Sequence, residues 1–439
     1  LVLRDRENPK KTIRGTTTGY MEVNLFDGLK YRISGNADVS NLSQLTWIPS
    51  TVDGNDPPNP AEGNYYTYNY YNWMVENLLT YKKVFAVVHD VDVLLGYSAQ
   101  KANDISSNIY ATDYADDSVG FFNAATTKVG SGDKTAWSMA SWLARFNYEY
   151  KNKYIMSLSW RRDGCSRFGS DARWANFPSV SLGWVLTEEN FMKNIPEISF
   201  MKLRTSWGKV GNNNIGNYTS IASMGTTNYV NNGTIVAGRN LSGISNTSLT
   251  WEKTKSWDIG LDLSLFNDRI FLMYDYYNKN TDGLLYQIDV PYSSGYFDIP
   301  SNIGKFHFWG NEFTLQTKNL VGKFKWRTDF NISFDRSQAK KLGTNDTPIG
   351  GYYDYSDYNR TAVGHPIGMF YGYVYDGVYM TQQEYESQPH HATSTVGTVR
   401  YKDVNGDGVI DSNDKTFIGN PNPDFIYGIT NTFSWKNFD

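Results

Sequence analysis

Hydrophobic and polar residues alternate with a period of two through much of the 439-residue chain. Between Phe324 and Asp335, the side chains of Phe324, Trp326, Thr328, Phe330, Ile332 and Phe334 fall on one side of an extended backbone. Lys325, Arg327, Asp329, Asn331, Ser333 and Asp335 fall on the other. The pattern predicts a long strand with one apolar and one heavily charged face. It recurs at Leu29, Tyr31 and Ile33, at Trp142 to Tyr148, at Tyr154 to Trp160, at Met201 to Trp207, at Trp257 to Leu265 and from Phe425 to Trp435. About 14 such segments are legible, several much longer than the five or six residues of a typical soluble strand.

The connections are of two kinds. Asn267-Asp268 and Asn319 to Gly322 read as tight turns, whereas the stretches near 41–78, 99–136, 209–250 and 336–422 are rich in Gly, Asn, Asp, Ser and Tyr and read as long loops. Long strands joined alternately by tight turns and long loops predict an all-β fold, a transmembrane antiparallel up-and-down β-barrel with long extracellular loops. No run of about 18 apolar residues marks a membrane helix, the first residues lack the plan of a signal peptide, and no fixed-period repeat is present.

Composition sharpens this picture. Aromatic residues make up 16% of the chain, with 33 Tyr, 23 Phe and 13 Trp, although only 40% of residues are hydrophobic. Tyr and Trp pair a large ring with a polar tip and suit membrane interfaces and surfaces that stack on flat ligands. In the run Tyr65, Tyr66, Tyr68, Tyr70, Tyr71 and Trp73, a stacking platform for sugar rings competes with plain interfacial anchoring in a long loop, the latter slightly favoured. A net charge of −4 without a basic block argues against nucleic acid as a partner. The lone Cys165 has no metal-ligand neighbour and reads as a small buried or lipid-facing group. No nucleotide, zinc-protease or serine-hydrolase motif occurs. The pairs Asp116-Asp117 and Glu188-Glu189 are poor candidates for a glycosidase acid and base, because adjacent strand residues point to opposite faces. His390 and His391 sit on a Pro-flanked loop, where a solvated role outweighs a metal site.

The best local chemistry is the acidic segment from Asp403 to Asp414. It matches calcium-loop spacing with Asp403, Asn405 and Asp407 as side-chain ligands, Gly408 at the sharp turn, Val409 offering its carbonyl, Asp411 direct or through water, and Asp414 at position twelve. The expected role of a bound Ca2+ is structural, stiffening the long loop. A Gly/Asn/Asp turn is the competing account.

Several segments together resemble the SusC/RagA family of TonB-dependent outer-membrane transporters. They are LTYKKVFAVVHDVDVLLGYSAQ at 79–100, SLSWRRDGCSRFGSDARWANFPSVSLGWVLTEENFM at 157–192, MKLRTSWGKVGNNNIGNY at 201–218, LTWEKTKSWDIGLDLSLFNDRI at 249–270, YDYYNKNTDGLLY at 274–286 and YKDVNGDGVIDSNDKTFIGNPNPDFIYGI at 401–429. Cys165 and Phe308 are local departures from the family pattern. The resemblance implies that residues 1–439 form part of one barrel domain, roughly 14 of about 22 strands, without the plug domain and final strands, and with 336–422 as a long loop region. It implies residence in the outer membrane among its lipids, import of oligosaccharides or peptides without covalent chemistry, a SusD-like lipoprotein partner and energy from TonB. A soluble β-sandwich glycan-binding protein or adhesin, and a β-rich polysaccharide hydrolase, are the alternatives.

Overall fold

The computed structural model describes residues 7–52, 59–241, 243, 245–289, 291–296, 298–343, 345–353 and 356–439. Eight strands come first: β1 (Lys10–Phe26), β2 (Leu29–Ile48), β3 (Glu62–Phe85), β4 (His89–Tyr114), β5 (Ala125–Tyr150), β6 (Tyr154–Cys165), β7 (Trp174–Val185) and β8 (Ile198–Asn212). A small hairpin follows, β9 (Met224–Asn231) with β10 (Thr234–Leu241). Long strands resume with β11 (Glu252–Leu265), β12 (Ile270–Asp289), β13 (Asp298–Val321) and β14 (Phe324–Lys341). Beyond β14 lie β15 (Ile349–Tyr353), β16 (Ser356–Thr361), β17 (Met369–Gly372), β18 (Tyr375–Val378), the helix α1 (Gln382–Ser387), β19 (Val399–Tyr401), β20 (Thr416–Gly419) and finally β21 (Ile426–Trp435).

Thirteen of these strands form one antiparallel sheet in the order β1 to β8, β11 to β14, β21. Each neighbours the next long strand in the chain, as the up-and-down expectation requires, and only the inserts β9–β10 and β15–β20 interrupt the sequence. The count of about 14 is close to the thirteen found. Among the described residues no helix is long and apolar enough to cross a membrane.

The chain divides into two compact units. The first comprises Leu1–Tyr148, Ser157–Pro178 and Asn213–Thr250. Across its strands one face is a ladder of apolar and aromatic side chains, with Val23 opposite Tyr31, Tyr31 opposite Leu79 and Leu79 opposite Leu95. The opposite face is polar, with Arg14 opposite Ser40, Ser40 opposite Tyr70 and Tyr70 opposite Asp104.

The second unit comprises Glu149–Met156, Ser179–Asn212 and Trp251–Asp439. Here Met201, Leu263, Leu272, Leu315, Phe330 and Ile429 form one continuous row across β8, β11, β12, β13, β14 and β21. A second row runs through Leu203, Leu261, Tyr274, Phe313, Ile332 and Tyr427. Of these twelve side chains Leu203, Phe313, Ile429 and Tyr427 are exposed, Ile429 by 60% and Tyr427 by 62%, and the other eight are partly exposed. An uncovered apolar surface of this extent is disfavoured in water and suits hydrocarbon. The alternation in β14 is as predicted: Phe324, Trp326, Phe330, Ile332 and Phe334 share the parity of this apolar face, and Lys325, Arg327, Asp329 and Asp335 take the other.

The tight turns rest on left-handed backbone. Phe266, Asn267 and Asp268 have φ of 54°, 57° and 59°, and Ala86 and Val87 have 48° and 66°, the sense that matches strand twist in short hairpins. Arg269 then donates to the carbonyls of Lys318, at 3.3 Å, and Asn319, at 3.0 Å, linking two neighbouring turns.

The loop boundaries need correction. Residues 41–48 and 62–78 belong to β2 and β3, and 99–114 and 125–136 to β4 and β5, so the connections shrink to 49–61 and 115–124. The physical reason is that these strands run past the apolar band, where both faces are wet. There the backbone ladder continues without any hydrophobic alternation to advertise it. The stretches 209–250 and 336–422 also contain order, the β9–β10 hairpin in one and β15–β20 with α1 in the other. Thr381 caps α1, its hydroxyl accepting from the Glu384 N–H at 3.2 Å. Where the second insert joins the wall, buried Phe306, Ala339 and Leu342 form a small apolar cluster with Leu284, Phe308, Ile349 and Ile367.

Candidate substrate-facing wall

In the first unit the polar face gathers charge and phenol. Arg14 grips Asp38 with two parallel hydrogen bonds of 2.9 and 2.7 Å, and the Tyr68 hydroxyl donates to Asp104. Gln100 donates to Asn72 at 3.1 Å. Above them a recess of about 440 Å³ is lined by Asn64, Tyr66, Ser106, Asn108, Ser131 and Asp133. The Asn108 Oδ1 is buried without a hydrogen-bond partner.

The aromatic run is therefore strand, not loop, and β3 splits it by parity. Tyr66, Tyr68 and Tyr70 share the polar face with Asp104, while Tyr71 and Trp73 stand exposed on the apolar face. Tyr65 packs near Phe121 and Phe122, ring centroids 5.9 and 6.0 Å away. Cys165 is fully buried, with Asn213 Nδ2 3.3 Å from its sulfur.

The polar face of the second unit centres on Arg204, which the sequence reading did not single out. Its guanidinium reaches Asp262 at 2.8 Å and Asp275 at 3.0 Å. This constellation spans β8, β11 and β12, and the pairing register that assembles it is invisible until the strands are aligned. Matching polar-face parity in three consecutive alternating segments was the available signal. Gly260 lies beneath the cluster: a Cβ there would meet Asp275 Oδ1 at 2.4 Å and Arg204 Cζ at 2.7 Å. In the same way Tyr277 lies over Gly310 and donates to Asp335. Arg327 pairs with Asp329 on the same face.

The acidic pairs have structural employment. Asp116 accepts from the Ser118 hydroxyl and N–H, which hold its carboxyl below the usual range, and Asp117 accepts from Ser50 Oγ at 2.8 Å. Glu189 gathers Tyr154 Oη at 2.6 Å, Lys153 Nζ at 3.1 Å and Trp184 Nε1 at 3.1 Å. The Tyr154 hydroxyl and then the Lys153 ammonium lower its pKa. The stability it lends to the 186–197 connection is thus present above the ordinary carboxylate range and lost as pH falls through the lowered folded value. Hydrogen-exchange protection factors in 186–197, taken relative to the intrinsic rate at each pH, should hold at neutral pH and fall below about pH 4, and Glu189→Gln should show the reduced protection already at neutral pH.

His390 Nδ1 lies 2.9 Å from the Gln388 carbonyl and His391 Nδ1 2.8 Å from Thr393 Oγ1. Among the described residues no three His, Cys, Asp or Glu side chains come together as a metal centre. The 403–414 segment is held by its own turns. Asp403 accepts from the N–H groups of Gly406 and Gly408 at 2.6 and 2.8 Å, and Asp407 from Val409 N–H at 2.9 Å. Asp411 accepts from Asn413 N–H at 2.7 Å. Asp414 is fully buried; burial opposes its ionisation, but N–H donation from Asp411, Val404 and Asn405 prevails and lowers its pKa. Gly408 has φ of 86°, the left-handed backbone its turn position requires.

Comparison with known proteins places this wall. Residues 4–433 match the family model described as TonB dependent receptor-like, beta-barrel. TonB-dependent receptor P26 of Formosa agariphila is 34% identical over 385 residues, covering 85% of this chain and 38% of that protein. TonB-dependent receptor SusC of Bacteroides thetaiotaomicron is 33% identical over 320 residues, covering 69% of this chain and 30% of the relative. The chain thus spans less than half the length of these relatives. A solved structure of the RagAB peptide transporter superposes with a TM-score of 0.82 at 21% identity, covering 99% of this chain and 47% of that one, which shows the fold. The chain belongs to the TonB-dependent receptor-like β-barrel family, of SusC/RagA type, a family of outer-membrane transporters and receptors rather than enzymes.

Proposed function

We propose that this chain forms wall and surface loops of an importer that carries oligosaccharides across the outer membrane, driven by TonB and served by a SusD-like surface lipoprotein. The observation that carries the reading is the polar face of the first unit. There Tyr66, Tyr68 and Tyr70 present rings and hydroxyls beside Asp104, and Tyr66, Ser106 and Asp133 line the recess. Rings flanked by hydrogen-bonding groups suit the flat apolar faces and polar edges of sugars. Peptides are the second substrate class, favoured by the RagAB peptide transporter with which the fold is shared.

The test is uptake by cells producing the full-length protein. Replacing Tyr66, Tyr68 and Tyr70 together by Ala should lower oligosaccharide uptake by about tenfold or more, at ~0.5–1.5 kcal/mol per ring. A panel in which labelled peptides, and no glycans, enter would transfer the reading to peptides. Cross-linkers placed in residues 345–420 should recover a lipoprotein.

We also propose that residues 403–414 take up calcium. Each carboxylate oxygen that accepts one N–H keeps a second lone pair, and Asp403, Asn405, Asp407, Asp411, Asp414 and the Val409 carbonyl offer only the hard oxygens calcium selects. Binding would draw them into convergence. Millimolar calcium is expected to slow proteolysis of 399–420, and Asp407→Ala to remove that protection. Equal cleavage with calcium and with a chelator would leave the loop a self-sufficient turn.

A further inference from the structure

The apolar face of the second unit changes character along its strands. Above the aliphatic rows comes Trp207 directly opposite Trp257, with Tyr276 5.3 Å from the Trp257 ring. Two residues further on, with the same side-chain parity, Lys209 stands directly opposite Lys255, and Lys253 follows on β11. The acidic neighbour at this level, Asp282, faces Lys253 in register but lies 3.3 Å from Lys305. Among the described residues, Lys209 and Lys255 have no carboxylate within ion-pair distance. Like charges directly opposite on adjacent strands are destabilising, so this patch calls for an anion.

Its height identifies the source. At about 3.3 Å per residue and a tilt of about 40°, the climb from Ile198 beside the short turn to Trp207 is roughly 23 Å, against about 25 Å for the apolar band of an outer-membrane barrel. Trp and Tyr mark the headgroup level. Lysines one step beyond can bury their stems against the band and extend their ammonium groups to headgroup phosphate. The face is the lipid-facing one under the barrel assignment above, and the connection above it, 213–251, is on the long-loop end. We propose that Lys209, Lys253 and Lys255 bind a phosphorylated glycolipid headgroup of the outer leaflet, fixing one lipid against β8 and β11.

The experiment uses the full-length protein, purified and placed in nanodiscs containing a bisphosphorylated glycolipid or its dephosphorylated form, with retained lipid counted by native mass spectrometry. The parent is expected to retain the phosphorylated form selectively. Lys209→Gln, Lys253→Gln and Lys255→Gln combined should weaken retention by at least about twentyfold, since each lysine near a charged surface is worth about fivefold, and the corresponding Arg triple should keep it. Unheated gel mobility identifies folded protein in every sample, and substrate uptake should be unchanged in both triples. Equal retention by the Gln triple, equal retention of the dephosphorylated lipid, or displacement by low-millimolar inorganic phosphate would each overturn the proposal, the last by making this a site for soluble anions.

Discussion

Phe330→Arg is expected to prevent the wall from assembling, while Asn331→Arg, one residue along the same strand, is accepted. Phe330 stands in the row from Met201 to Ile429, between Leu315 and Ile429. A guanidinium in the middle of a lipid-facing band costs about 2–4 kcal/mol, and its desolvation finds no partner in that row. Asn331 has the other parity, opposite Thr314 and Gly428, where an arginine meets water and the neighbouring Asp329. The fraction of full-length protein that migrates in the compact form on unheated gels, after outer-membrane extraction, reads the difference directly. Equal folding of the two variants would mean that the faces have been assigned the wrong way round.

Gly260→Val is expected to produce the largest loss among substitutions on the polar face. The added Cβ would sit 2.4 Å from Asp275 Oδ1 and 2.7 Å from Arg204 Cζ and Nη2, so the guanidinium must leave its two carboxylates. Arg204, Asp262 and Asp275 are only 29%, 16% and 24% exposed, which makes separation costlier than for a surface pair. Overpacking and lost pairing together should cost about 2–4 kcal/mol, seen as a lower urea midpoint. Gly260→Ala should be intermediate. Removing the obstruction with Asp275→Ala and Arg204→Met in the Gly260→Val background should recover part of the loss. A midpoint for Gly260→Val equal to the parent would show that the cluster contributes nothing to holding β8, β11 and β12 in register.

How much of this was legible beforehand depended on which solvent each strand meets. In β14 lipid and water touch opposite faces, so Phe324 to Asp335 alternates cleanly and the strand could be read residue by residue. In the upper half of β3, from Glu62 to Trp73, water reaches both faces, Tyr and Asn occupy both parities, and a strand looks like a loop. The tight turn at Asn267-Asp268 was readable because few residues tolerate left-handed backbone. The Arg204 cluster was hidden for another reason: its members are 58 and 71 positions apart in the chain, and only hydrogen-bond register brings them together. Asp403 to Asp414 was legible as a motif, and its Asx turns are as the residue types dictate, but spacing alone does not say whether carboxylates turn toward an ion or toward their own backbone.

The insert between β14 and β21 has its own internal scaffolding: β15, β16, β17 and β20 in one small sheet, β18 and β19 in another, and a backbone bridge from Ala339 to Val363 at its base. The ladder between β14 and β21, from Phe324–Trp435 to Ser333–Ile426, uses none of those residues. The pairing that holds β14 against β21 is therefore written in a different stretch of the chain from the insert. The 342–425 segment is expected to tolerate changes of length and sequence, by selection or by an engineer grafting a new binding surface, as long as Leu342, Ile349 and Ile367 keep their packing against Phe306 and Ala339.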